Sequence, residues 1–227
     1  MGTPSSTTVN EPGLSAVGSV ESRDVEVPQS EIVDDDFFKD TLFIGDSLTK
    51  GIELNGIFPY DNVLAYDGID PETAATLKII ETKNGNLLTL LDAANNYSPS
   101  RIYIMLGANG ISYLSTQTLL DSYDRFVAQI MEIHPDSDIF IQSILPVTAE
   151  FEEDFPYHSN TKIDEMNDLL RQMCKEKEIY FLNVSDVFKD DDGAMIKGFS
   201  ANDGLHLNGD AYDKWAEYLK CHTINHQ

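Results

Sequence analysis

The sequence predicts an α/β protein, a three-layer α/β/α sandwich built on a five-stranded parallel sheet. Three observations lead there. Five short apolar runs rich in β-branched and aromatic residues recur between Thr41 and Val184, each followed by a turn-forming stretch. The stretches between them carry helical spacing and cap residues. Strands alternating with helices imply βαβ units, and hence a parallel sheet covered on both faces. Finally, 227 residues suit one domain with a full core plus a tail.

Taken in order, residues 1–33 are rich in Ser, Thr, Val, Glu, Gly and Pro without periodicity, and read as a disordered tail or linker. The domain is expected over 34–227, entered through Asp34-Asp35-Asp36 and Phe37-Phe38. The first strand, Thr41–Ile44, stops at Gly45-Asp46-Ser47-Leu48, and a helix from Leu48 to Leu54 follows with Asp46 or Ser47 as cap. Asn62–Ala65 is a short second strand closed by Tyr66-Asp67-Gly68. Asp70 caps a helix from Pro71 to Lys83, which Asn84-Gly85 stops, and Leu87–Asn95 reads as another helix. Arg101–Leu106 is the third strand, ending at Gly107-Ala108-Asn109-Gly110. A long amphipathic helix spans Thr116–His134, with Phe126, Ile130 and Ile133 as its core stripe, and Pro135 stops it. Asp138–Leu145 is the fourth strand, halted by Pro146. A loop over 147–159, a helix over Thr161–Glu178, a fifth strand over Ile179–Val184, a loop over 189–209 and a closing helix over Ala211–Cys221 complete the chain.

Charge and composition narrow the function. A formal charge of −24 disfavours nucleic acid and anionic membrane surfaces as partners. No apolar run is long enough to cross a membrane. Met1-Gly2-Thr3-Pro4 leads straight into polar sequence, so the chain reads as cytoplasmic or as a mature form without its leader. Cys174 and Cys221 make neither a disulfide framework nor a metal finger. Asp190-Asp191-Asp192-Gly193 fails the calcium-loop pattern, because Phe188 stands where the first ligand belongs and no Glu closes the loop. His222 and His226 lie one helical turn apart on the C-terminus with no further ligands.

In open parallel sheets, ligands bind beyond the carboxyl ends of the strands. That rule gathers Ser47, Gly68, Asn109, Asp203 and His206 on one rim. A serine at a tight strand-to-helix turn can serve as a nucleophile, or merely as a helix cap. Asp203-Gly204-Leu205-His206 brings a carboxylate and an imidazole to one side of a turn. There the carboxylate can fix the imidazole tautomer and leave the other nitrogen free to take a serine proton; the alternative is a surface pair. Asn109-Gly110 is a side-chain amide donor or a hairpin signal. Gly68 is a bare backbone N–H or an ordinary turn residue.

With these residues in this order, the chain resembles the SGNH (GDSL) hydrolases from about Phe38 to Tyr218. Gly45-Asp46-Ser47-Leu48 matches the family's first block, Gly68 its second, Asn109 its third, and Asp203 with His206 its fifth. Leu145-Pro146-Val147-Thr148, with Asn160 and Asn167, is similar to the fourth region. The resemblance implies a flavodoxin-like fold and a bacterial serine esterase. Its catalytic residues would be Ser47, Asp203 and His206, its oxyanion hole the Ser47 and Gly68 amides with the Asn109 side chain, and it would need no cofactor or metal. One departure stands out: the family carries Asp after the block-three Asn, and this chain has Gly110.

The expected substrate is a short acyl ester, acetyl above all, on a carbohydrate or cell-wall glycan. The stretch Ala149–Tyr157 interleaves acidic and aromatic residues that can serve sugar rings. The alternatives are a lysophospholipase or thioesterase, and, on the same fold, a non-catalytic binding module. An extracellular or wall-associated protein is expected, with a cytoplasmic one as the alternative.

Overall fold

The computed structural model describes residues 24–58 and 62–224. Its elements, in chain order, are β1 (Thr41–Gly45), α1 (Ser47–Leu54), β2 (Val63–Ala65), α2 (Pro71–Thr76), β3 (Ile80–Glu81), β4 (Leu87–Leu88), α3 (Leu90–Ala94), β5 (Arg101–Met105), α4 (Ala108–Ile111), α5 (Thr116–Ile133), β6 (Asp138–Gln142), α6 (Ala149–Asp154), α7 (Asn160–Lys177), β7 (Tyr180–Leu182) and α8 (Gly209–Lys220). Five strands form one parallel sheet in the order β2-β1-β5-β6-β7. The chain starts in the middle of the sheet and winds outward both ways, so the strand order reverses between β1 and β5. A crevice at the carboxyl ends of that pair is where this class of fold binds ligands.

Side-chain alternation splits the sheet into two different surfaces. Phe43, Tyr103, Phe140 and Tyr180 are cross-strand neighbours. Their rings form a continuous ladder, with centroids 5.4, 4.6 and 4.9 Å apart. The next positions, Ile44, Ile104, Ile141 and Phe181, are fully buried and face the other layer. On the outer layers, the stripe of α5 buries Phe126 and Ile130, and Trp215 of α8 donates from Nε1 to the buried Gln142 Oε1 at 2.8 Å.

Several expected boundaries move. The helix expected over Pro71–Lys83 ends at Thr76, where Leu77 turns extended (φ −86°, ψ 127°). Ile80-Glu81 instead pairs antiparallel with Leu87-Leu88. Asn84-Gly85 turns that small hairpin, and β-branched Ile79, Ile80 and Thr82 favour it over a helix. The helix expected over Leu87–Asn95 is thereby shortened to α3, capped by Thr89 accepting from Asp92 N at 2.9 Å. The loop expected over 147–159 holds α6, which starts where Thr148 Oγ1 accepts from Phe151 N.

The tail boundary at residue 33 needs correction as well. Residues 24–33 pack on the domain as a strap. Val27 N donates to Phe181 O at 2.9 Å, and Phe181 N donates to Val25 O at 2.8 Å. Glu26, turned outward between the two valines, pairs with Arg171 at 3.0 Å. Val25 and Val27 are buried. Further on, Ser30 N donates to Cys221 O and Val33 N to Lys220 O. The physical reason is the exposed edge of β7, whose unpaired backbone groups accept a short alternating segment, Val25-Glu26-Val27. Residues 1–23 of the expected tail lie outside the described residues, as does His226.

This strap makes a prediction. Deleting residues 1–33 uncovers two buried valines and the β7 edge. Burial of the two side chains contributes about 3–6 kcal/mol before the entropy of ordering the strap is subtracted. A net loss of about 2 kcal/mol is expected, lowering the melting temperature by about 4–8 °C. Deletion of 1–23 alone is the control, and an identical midpoint in both deletions would mean that the strap adds nothing.

Both cysteines are free, Cys174 buried and Cys221 half-buried. No helix among the described residues is long and apolar enough to cross a membrane.

Candidate active site

The site forms where β1 breaks into α1. Asp46, not Ser47, is the helix cap: its Oδ1 accepts from Leu48 N at 3.0 Å. This frees the Ser47 hydroxyl from capping duty. Ser47 Oγ lies 3.0 Å from His206 Nε2. His206 Nδ1 lies 2.6 Å from Asp203 Oδ2. The other Asp203 oxygen, Oδ1, accepts the backbone N–H groups of Leu205 (3.0 Å) and His206 (2.8 Å), so the turn that carries the imidazole also aims the carboxylate. Partial burial acts to raise the Asp203 pKa. The hydrogen bonds from the His206 ring and the two amides outweigh it and leave the carboxyl below its ordinary value. A carboxylate on Nδ1 assigns the proton to that nitrogen and turns the Nε2 lone pair toward the serine.

Gly68 and Asn109 complete the same cleft. An open hollow of about 620 Å³ is lined by Ser47, Lys50, Leu54, Gly68, Asn109 and His206, among others. Thus the five residues expected on one rim are brought together, four of them around this hollow and Asp203 directly behind His206. A larger hollow of about 840 Å³ lies beside Asp24, Arg171 and Lys175 on the far edge, away from this constellation. Lys50 and Asp67 form an ion pair at 2.8 Å across the cleft rim, tying α1 to the turn that carries Gly68.

Asn109 is not in a hairpin: it sits in the short helix α4, just after β5. Its Nδ2 donates to Asp46 Oδ2 at 3.1 Å and to Ile69 O at 2.9 Å. Asp46 therefore holds the Asn109 side chain as well as capping α1, where the sequence marked it only as a possible cap. It is fully buried, and burial, partly offset by the Leu48 hydrogen bond and by His206 and Asn109, pushes its carboxyl up to about 7.

At Gly110, where the family carries Asp, Leu119 packs closely. A Cβ at Gly110 would lie 2.7 Å from Leu119 Cδ1. Buried Leu119 fills the space with hydrocarbon. The loop is braced by other means. Lys162 Nζ donates to the carbonyls of Ile111 and Leu114, the latter at 2.7 Å. Tyr113 Oη donates to Asp70 Oδ2. Ser112 Oγ meets His158 Nδ1 at 3.0 Å, and burial, then the Lys162 charge, push the His158 imidazole down to about 4, so it is neutral near pH 7. Lys162 and His158 are far from the loop in sequence, and no pattern pointed to them.

Comparison with known proteins gives the family and the fold. The model of the GDSL-like Lipase/Acylhydrolase family matches residues 43–214. The chain belongs to that family. It is an ester-hydrolysing enzyme by that membership. Among solved structures, it is similar to a candidate platelet activating factor from Streptococcus pneumonia (22% identity, TM-score 0.65, covering 80% of this chain and 82% of that one). It is similar also to a GDSL-like lipase from Bacteroides thetaiotaomicron (15%, TM-score 0.62, 82% and 87%). A carbohydrate acetylesterase family member from Sinorhizobium meliloti matches at 16% identity and TM-score 0.56, over 80% and 95%. At these identities the likeness concerns the fold. No curated protein matches the sequence.

Proposed function

We infer that this acylhydrolase is a serine esterase that removes short acyl groups, acetyl above all, from a carbohydrate through an acyl-serine intermediate. The observation that carries the chemistry is the unbroken line from Ser47 Oγ through His206 to Asp203, at an open cleft. His206 Nε2 takes the hydroxyl proton as Ser47 attacks the ester carbonyl, and Asp203 stabilises the resulting imidazolium. The oxyanion is met by the Ser47 and Gly68 amides and the Asn109 side chain, each donor worth about 3 kcal/mol of barrier. Both Asn109 N–H groups are engaged in the free enzyme. A developing oxyanion, being charged, competes well with the neutral Ile69 carbonyl for one of them. His206 then returns its proton to the departing alcohol, and the acyl-serine is hydrolysed by water that His206 activates.

The substrate class rests on chemistry around the cleft. Its charged rim, Lys50 with Asp67, suits an alcohol bearing hydroxyls, and the overall charge of −24 disfavours acyl-CoA and anionic lipid. The Sinorhizobium structure, named for carbohydrate acetyl esters, supports the same reading. Where the carrier is a cell-wall glycan, the reading includes export. Leu54, exposed at the cleft, with Leu205 and Leu207, favours a second reading, in which a longer acyl chain lies along α1. A chain-length series of p-nitrophenyl esters beside an O-acetylated oligosaccharide separates the two. Acetyl is expected to exceed octanoyl in kcat/KM by at least about tenfold, or about 1.4 kcal/mol. Preference for octanoyl, with no turnover of the acetylated sugar, would move the assignment to the long-chain branch.

A further inference from the structure

Behind the catalytic line lies a second hollow, of about 270 Å³, near the lower end of the range for small-molecule pockets. One wall is the α6 segment, with Glu150, Phe151, Asp154 and Phe155, and the other is the turn carrying Asp203, with Lys197 and Asn202. We propose that this hollow is a subsite for a neutral sugar ring of the alcohol portion of the substrate, next to the residue that bears the ester. The proposal rests on the esterase reading above.

Direction comes first. His206 must hand its proton to the departing alkoxide, so the alcohol leaves on the His206 side of Ser47, while the carbonyl oxygen turns toward Gly68 and Asn109. This hollow is the one on that side: Asp203, bonded to His206, lines it, and its Gly204 precedes Leu205 of the cleft. The hollow is also fixed in shape. Thr148 N donates to Gly204 O at 2.9 Å. A Cβ at Gly204 would lie 2.6 Å from Phe151 Cβ, so α6 and the Asp203 turn are in backbone contact. Asn202, just before Asp203, holds a left-handed backbone at φ 80°. Asn adopts this region more readily than other non-glycine residues, and glycine adopts it freely.

The lining chemistry selects the occupant. Phe155 is 57% exposed and offers an open ring face at the rim. Glu150 is paired with Lys197 and Asp203 is held by His206 and two amides, which leaves the Asp154 carboxylate as an acceptor and the Asn202 amide as a donor and acceptor. Anions are repelled from such a lining, and a hydrocarbon chain would strand its polar groups. A ring with an apolar face and a girdle of hydroxyls satisfies both walls.

The test measures kcat and KM for the wild type, Phe155→Ala and Asn202→Gly, the latter keeping the left-handed backbone. The substrates are p-nitrophenyl acetate, O-acetylated xylose and O-acetylated xylotriose. In each variant KM for the trisaccharide should rise about tenfold, with kcat, melting temperature and turnover of p-nitrophenyl acetate and of the acetylated monosaccharide held. Unchanged trisaccharide KM in both variants would overturn the subsite while leaving the esterase reading intact. Equal losses on all three substrates would overturn it too, by showing that the variants disturb Asp203 rather than a sugar contact. A wild type that cleaves p-nitrophenyl acetate but no acetylated sugar would remove the carbohydrate reading and the subsite together.

Discussion

Replacing Ser47 with Ala is expected to lower kcat on p-nitrophenyl acetate by at least about three orders of magnitude while leaving the melting temperature unchanged. The two halves of that expectation come from different contacts. Catalysis is lost because the Oγ that meets His206 Nε2 at 3.0 Å is gone. Stability is kept because α1 is capped by the neighbouring Asp46 side chain, so the helix start does not depend on the hydroxyl. Residual activity from the oxyanion donors and binding alone should survive. A second serine supplies the control. Ser112 also meets a histidine, His158, at 3.0 Å. There, however, the ring's other nitrogen, Nε2, has no hydrogen-bond partner among the described residues. No carboxylate stabilises an imidazolium at that place, so Ser112→Ala should lose little turnover. Labelling by a fluorophosphonate should vanish in Ser47→Ala and persist in Ser112→Ala. The reverse pattern would place the nucleophile at Ser112.

The fold was legible where local pattern and tertiary environment agree. β1, β5 and β6 are buried on both faces and therefore read as apolar runs, and their ends are set by Gly or by polar residues. The motifs fell on one rim because a parallel sheet sends every strand end the same way. Other elements were illegible for a physical reason. Val25-Glu26-Val27 is too short to register as a strand, and only the unpaired edge of β7 makes it one. The segment after Thr76 mixes helix formers (Leu77, Lys78, Glu81, Lys83) with β-branched Ile79, Ile80 and Thr82, and pairing with Leu87-Leu88 settles it as a hairpin. In the site, the residues proposed for the chemistry carry a motif, whereas those that hold them in place do not. Gly110 departs from the family's Asp, and in the structure Leu119 packs against it. The loop is then held by Lys162, from a helix whose sequence gives no hint of it.

Asp46 is the residue whose role the sequence understated most, and its ionisation should be visible in the stability of the whole domain. The fold raises its carboxyl from 3.8 to about 7, so the folded chain holds this proton more tightly than the unfolded one. Its contribution to stability is thus fully present below about pH 4 and is lost as pH rises through about 7. Over that window the loss is about 4 kcal/mol, three pKa units at about 1.4 kcal/mol each. Asp203 acts in the opposite sense: its carboxyl is depressed, and the stability it adds is present above its unfolded pKa and lost as pH falls through its folded value. The raw stability curve of the wild type mixes the two, and a difference measurement separates them. Asp46→Asn cannot titrate, and its altered bonds to Leu48 and Asn109 shift stability by an amount independent of pH. The wild type minus Asp46→Asn difference in unfolding free energy should therefore move against the wild type between pH 4.5 and pH 8, by one to about 3 kcal/mol in urea denaturation, since part of the shift lies below pH 4.5. A difference that stays level across that range would mean that Asp46 is ionised throughout, with the Leu48 amide, the Asn109 side chain and His206 together offsetting its burial.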